Sequence, residues 1–210
     1  MTDHPGSTCA AAATPRAEAQ RERILCAAQK CFIESGFHAA SMASIAGAAQ
    51  MSAGLMYRYF ENKNAIVLAI IERELQQGRA QIARLRTSAD LVADILEVFE
   101  HWRARDPAFG NAALFLETTA ASTRDPLIAE ALHATNSAIR DDLKSWMRRG
   151  RDDGGLGLPE ASIDARVVLL QCLFEGLAVR AIREPEVEVE TLRHAVTRLV
   201  NGLLSPEHSA

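Results

Sequence analysis

The sequence predicts an all-α protein of about nine helices. Apolar residues recur three and four positions apart along nearly the whole chain, which is the spacing of one helix face. Capping and breaking residues interrupt that pattern at helix-length intervals. Strand-like alternation occurs only from Glu186 to Glu190, a stretch too short and too acidic to pair well.

The elements follow in order. Thr14-Pro15 opens the first helix, a capping residue followed by a proline whose missing N–H costs nothing there. Ile24, Ala27, Ala28, Cys31 and Phe32 form its inward stripe, and Ser35-Gly36 ends it, glycine suiting the left-handed position after a helix. Ser41 caps a short second helix that buries Met42, Ile45, Ala46 and Ala49. After a turn through Gln50-Met51, Ser52 caps a third helix, Ala53 to Phe60, and Asn62 caps a long fourth one running to about Leu85. Asp90 to Arg105 is helical until Asp106-Pro107 breaks it, and Asn111 to Ser122 follows. Leu127 to Arg149 comes next, closed by an expected flexible segment from Gly150 to Gly157. Ser162 to Arg183 is the most apolar helix, and Glu190 to Leu204 is the last.

With 210 residues, 48% hydrophobic and 24% charged, the chain suits one large or two small soluble domains. The longest apolar runs, Ala65 to Ile71 and Val167 to Phe174, are too short to span a bilayer. No membrane partner and a cytoplasmic location are expected. The alanine-rich start lacks a basic end and a leucine-rich middle, so residues 1–15 are read as a disordered arm. Cys9, Cys26, Cys31 and Cys172 form no C-x-x-C pair and have no histidine cluster beside them, so neither metal nor cofactor is expected. Net charge is -4, yet between Arg16 and Lys63 the basic residues Arg16, Arg21, Arg23, Lys30, Arg58 and Lys63 outnumber Glu18, Glu22, Glu34 and Glu61. A mildly basic unit on an acidic protein permits nucleic-acid binding.

Two short helices joined by a tight turn, the second opened by a serine cap, describe a helix-turn-helix. Met56 and Phe60 supply the buried stripe of the third helix, packing on Ile45 and Phe32, while Ala53, Gly54, Tyr57 and Arg58 show on its other face. Ala53 and Gly54 let the helix start enter the major groove closely. Tyr57 and Arg58 stand one turn later, within reach of phosphates, and Lys63 adds a further phosphate contact. Arg58 has two roles open to it, a bidentate reading of guanine or a grip on the backbone. Residues 16–66 form this unit, and residues 67–205 a larger domain for effector binding and dimerisation.

Arg23-Ile24, Ala27-Ala28, Phe32, Gly36-Phe37, Ser41-Met42, Ile45-Ala46, Ala49, Met51-Ser52, Gly54, Tyr57, Tyr59-Phe60, Lys63 and Ala65-Ile66 resemble, in order and without gaps, the pattern of the TetR (tetracycline-repressor-like) family. The resemblance implies a homodimeric regulator, usually a repressor, with an all-α ligand-binding domain. It implies that Ser41, Tyr57, Tyr59 and Lys63 touch phosphates and that Ser52, Ala53 and Gly54 lie at base edges of double-stranded operator DNA. Two departures stand out. Gln50 occupies the turn where the family usually has glycine, so a strained or differently wound turn is expected, and Ser41 replaces the commoner threonine.

The larger domain carries no G-x-S-x-G, no H-E-x-x-H and no phosphate-cradling glycine loop, so no enzyme is expected. Trp102, Phe115, Glu117, His133 and Phe174 are candidates to line a pocket for a small-molecule effector, although each aromatic equally suits plain core. Glu117, in an apolar run, either neutralises a cationic ligand or faces water. Ala165, Leu169, Cys172, Gly176 and Val179 form one stripe of the most apolar helix and are the candidate dimer contacts.

Overall fold

A computed structural model describes residues 15–85, 87–88, 90–105 and 110–204. Residues 1–14 of the expected arm, with Cys9 and the Thr14 cap, and the Asp106-Pro107 break lie outside the described residues, and Pro15, placed in the arm, is the first residue of a helix. Among the described residues the fold is all-α: α1 Pro15–Ala39, α2 Met42–Ala48, α3 Ala53–Tyr57, α4 Lys63–Leu85, α5 Leu91–Arg103, α6 Ala112–Ser122, α7 Pro126–Arg148, α8 Glu160–Arg183 and α9 Val189–Leu204, with one turn of 3-10 helix at Arg151–Asp153.

Local chemistry sets most boundaries. Ser41, Ser52, Asp90, Asn111 and Asp125 each accept a hydrogen bond from a backbone N–H of the first turn they precede. Each such cap is worth about 1 kcal/mol. The Asn62 side-chain oxygen does the same for Ala65 at 2.9 Å. Gly36, at φ 77°, breaks α1 where glycine predicted its end, and one further turn carries Phe37. The third helix stops at Tyr57, three residues early, because Arg58 and Tyr59 close with tighter bonds to the carbonyls of Leu55 and Met56.

The segment after α7 differs from its expected flexibility. Leu156 N–H donates to Trp146 O, Gly157 N–H to Arg149 O and Leu158 N–H to Met147 O, so the segment folds back and satisfies the last carbonyls of α7. A side chain at Gly155 would meet Arg149 O at 2.1 Å, so only glycine fits.

Three apolar clusters hold the helices together. The first joins Ile24, Phe32, Ile45, Met56, Ile66 and Ile70 to Leu114, Ala121 and Ile128, so packing runs from α1–α4 straight into α6 and α7. The second holds α4, α7 and α8 together through Ile82, Trp146, Met147 and Val167. The third joins α5, α8 and α9 through Ile95, Phe99, Leu177 and Val196. The buried guanidinium of Arg166 donates to Ser162 Oγ and to Leu203 O, tying α8 to the end of α9. No described helix is long and apolar enough to cross a membrane.

Candidate nucleic-acid interface and ligand cavity

The helix-turn-helix is built from the inside out. Ile45, Ala46 and Met56 are buried against α1, which fixes how α2 and α3 sit on it. Ser41 Oγ accepts from Ser44 N–H while Ser44 Oγ accepts from Ser41 N–H, a reciprocal cap on α2. Gln50 occupies the left-handed region at φ 53°. The turn is therefore wound as a glycine would wind it, with a side chain present. Met51 N–H reaches back to Ala46 O, and the Arg23 guanidinium donates to Ala49 O at 2.6 and 2.8 Å and to Gln50 O at 2.8 Å. A cation on the last carbonyls of α2 offsets the backbone strain, which is about 1–2 kcal/mol for a side chain in this region.

Ser41, Ser52, Ala53, Gly54 and Arg58 are exposed, as is Tyr57 at 53%. Nothing lies within 4 Å of the space a side chain would fill at Gly54. The face that the sequence assigned to DNA is thus an open, small-residue surface with Tyr57 and Arg58 at its edge. Tyr59 is half-buried and packs on the first cluster. Lys63 has its ammonium 4.5 Å from the centre of the Phe37 ring, donating to Phe37 O, His38 O and Ala40 O at 2.7, 3.3 and 3.0 Å. Three carbonyls use its three donors, so reaching a phosphate requires leaving them; burial lowers its pKa.

A cavity of about 250 Å³ lies between α4, the end of α5, the start of α6, α7 and α8. Trp102, Phe115 and Phe174 line it, Trp102 and Phe174 edge to face at 6.3 Å. Two other expected lining residues fall elsewhere. His133 is exposed on α7. Glu117 neither meets that cavity nor simply faces water, because its carboxylate accepts from Phe37 N–H at 3.1 Å, under α1. A helix of 3.6 residues per turn separates Phe115 from Glu117 by about 200°, so one helix cannot offer both to a single pocket.

Sequence reasoning missed the polar lining. Glu74, Gln77, Gly78 and Gln81 from α4, and Gln171 and Glu175 from α8, border the cavity, with Asn136 from α7. The signal was available: positions 74, 77, 78 and 81 continue the inward stripe of α4 with polar residues. Glu74 Oε1 is shut off from water and has no hydrogen-bond partner, and burial pushes its pKa up to about 7 although Arg73 pulls it down. Leaving such an acceptor unsatisfied costs about 1–3 kcal/mol.

The stripe of α8 proposed for dimer contacts faces outward. Ala165, Leu169, Cys172 and Gly176 are exposed and Val179 half-buried, and Val168 next to Leu169 is exposed as well. Because Ile163, Val167, Leu170 and Leu177 fill the opposite face, α8 is apolar on both sides.

An exposed recognition helix on a rigid helix-turn-helix, joined to a cavity-bearing helical bundle, defines a DNA-binding transcriptional regulator. The family described as bacterial regulatory proteins, tetR family, matches residues 24–70, and the C-terminal domain of BetI-type transcriptional repressors matches residues 88–205. The chain belongs to the TetR family. UidR of Escherichia coli strain K12, an HTH-type transcriptional regulator, is 28% identical over 193 residues, covering 90% of this chain and 95% of UidR. The structure of Salmonella enterica GusR is 28% identical with a TM-score of 0.66, over 87% of this chain and 96% of GusR. A SmeT–triclosan complex shares the fold, with 24% identity and a TM-score of 0.67 over 90% of this chain and 95% of SmeT.

Proposed function

We propose that the chain is a homodimeric repressor that leaves its operator when a small molecule fills the cavity. One observation carries this reading: α6 borders the cavity and also holds the end of α1, from which the chain enters the helix-turn-helix. Ala112 and Phe115 of α6 line the cavity, and Glu117 of the same helix holds the Phe37 N–H. Phe37 in turn holds Lys63, the first residue of α4. A shift of α6 on filling thus reaches the end of α1 and the start of α4, which flank α2 and α3. The coupling required is about 1–3 kcal/mol.

In this reading Ser52, Ala53 and Gly54 lie at base edges, and Ser41, Tyr57 and Arg58 take phosphates. Tyr59 and Lys63, both held partly inside, contribute through whichever atoms the protein leaves free. The exposed apolar stripe of α8 supports pairing of two copies, which sets their recognition helices about 34–36 Å apart, one turn of DNA. SmeT, solved with triclosan, supports a ligand in a protein of this fold.

Fluorescence anisotropy on a duplex from the chain's own promoter tests the proposal. Salt-sensitive binding by a dimer is expected, and Leu169→Glu, which puts a charge on the exposed stripe, yields monomers that bind far more weakly. Absence of salt-sensitive affinity for the duplex, or full affinity from a monomeric variant, overturns it.

A further inference from the structure

We propose that the cavity takes a protonated primary or secondary arylalkylamine, its ammonium N–H groups bonded to Glu74 and its ring packed among Trp102, Phe115 and Phe174. This rests on the reading of the cavity as the effector site and names the chemical class of the effector.

Glu74 lines the cavity, and its Oε1 lies turned away from that space, buried without a partner, so a small turn of the side chain brings the orphaned oxygen onto a ligand. Its neighbour Arg73 is committed elsewhere, to Glu22 of α1 at 2.9 Å. Burial therefore prevails and holds the Glu74 carboxyl up at about 7, the mark of an acid with no adequate counter-charge. A second carboxylate, Glu175, borders the same space, and no lysine, arginine or histidine stands among the described lining residues. Two acids without a base attract a cation and repel an anion. The amides Gln77, Asn136 and Gln171 are neutral and alter that balance little. Aromatic faces suit both a ring and an ammonium.

The space is large enough for such a ligand. A dry cavity of roughly 150 Å³ holds one benzene ring. The space here, about 250 Å³, admits a ring with a short amino chain. An orphaned carboxylate oxygen needs an N–H to satisfy it, which a quaternary ammonium lacks.

Calorimetric titration of the full-length protein tests this with four probes of similar size: 2-phenylethylamine, 2-phenylethanol, phenylacetate and trimethyl(2-phenylethyl)ammonium. The amine is expected to bind about tenfold or more tightly than the alcohol and the trimethylated cation, with phenylacetate giving no binding. Glu74→Gln keeps the shape of the side chain. It should lower amine affinity by about tenfold or more while leaving the alcohol within about twofold, its fold confirmed by melting. Equal affinity for amine and alcohol, unchanged amine binding by Glu74→Gln, binding of phenylacetate as tight as that of the amine, or no binding of any probe overturns the proposal. The wild-type comparison needs no variant. Parallel anisotropy on the promoter duplex separates the two readings. A protein that grips the duplex but ignores the amine remains a regulator with another ligand class. One that binds the amine and no duplex keeps the cavity chemistry and loses the operator.

Discussion

From Ile66 to Ile71, α4 turns Ile66, Val67, Ile70 and Ile71 into a dry core shared with α1 and α6. One turn later the continuing stripe carries Glu74, Gln77, Gly78 and Gln81 and borders a cavity, before Ile82 and Leu85 restore the apolar pattern. The first half packs into the same core as Ile45 and Met56, beneath the exposed small residues of α3. The second half gives up packing and leaves a carboxyl oxygen unsatisfied. Polar residues at inward positions of an otherwise apolar helix therefore mark a place built for something other than stability.

The largest test of that contrast is a pair of substitutions. Ile70→Ala, in the dry half, should lose about 2–5 kcal/mol by urea unfolding. Gln77→Leu, in the cavity half, should change stability by less than about 1 kcal/mol. Similar losses at both positions would erase the distinction. Next comes pH. The folded chain keeps a proton on Glu74 up to about 7, while the unfolded chain releases it near the ordinary 4.5. This raised carboxyl makes stability fall as pH rises between those values, by at most about 3 kcal/mol, and level off above. Denaturation at pH 5 and pH 8 should show that slope, and Glu74→Gln should flatten it; an unchanged slope assigns it to other groups.

A smaller effect belongs to the surface that the rigid half supports. Arg58→Ala is expected to weaken operator binding by about 1–3 kcal/mol. Measured on operator and scrambled duplexes, equal losses with a salt slope reduced by about one identify a phosphate contact, and a loss confined to the operator identifies base readout. Smallest is Gln50→Gly, which should raise stability by about 0.5–1 kcal/mol because glycine adopts φ 53° without strain. A destabilised variant would mean that the Gln50 side chain does more than tolerate its backbone.

Several features were legible because they are local. The serine caps at 41 and 52, the Asn62 cap and the break at Gly36 all act within one turn of chain. Buried Ile45, Met56 and Phe60 against open Ala53, Gly54 and Tyr57 followed from helical spacing alone. The cavity was legible only in its aromatic half. Phe115 was found and Glu117 misplaced, because both lie on α6 and only its neighbours decide which face meets which cavity. Nothing in the neighbourhood of Lys63 in sequence announces that Phe37, His38 and Ala40 will take its donors.

Taken alone, the order of residues determined the all-α character of the described residues, the caps at Ser41, Ser52 and Asn62, the helix-turn-helix and the small-residue face of α3. These depend on hydrogen bonds and periodicities spanning a few residues. Tertiary structure alone decided that Arg23 clamps the turn at Gln50, that Glu117 of α6 holds α1, and that Glu74 ends unpaired at a cavity wall. Each outcome depends on which helices pack side by side, and that follows from the burial of many apolar faces at once.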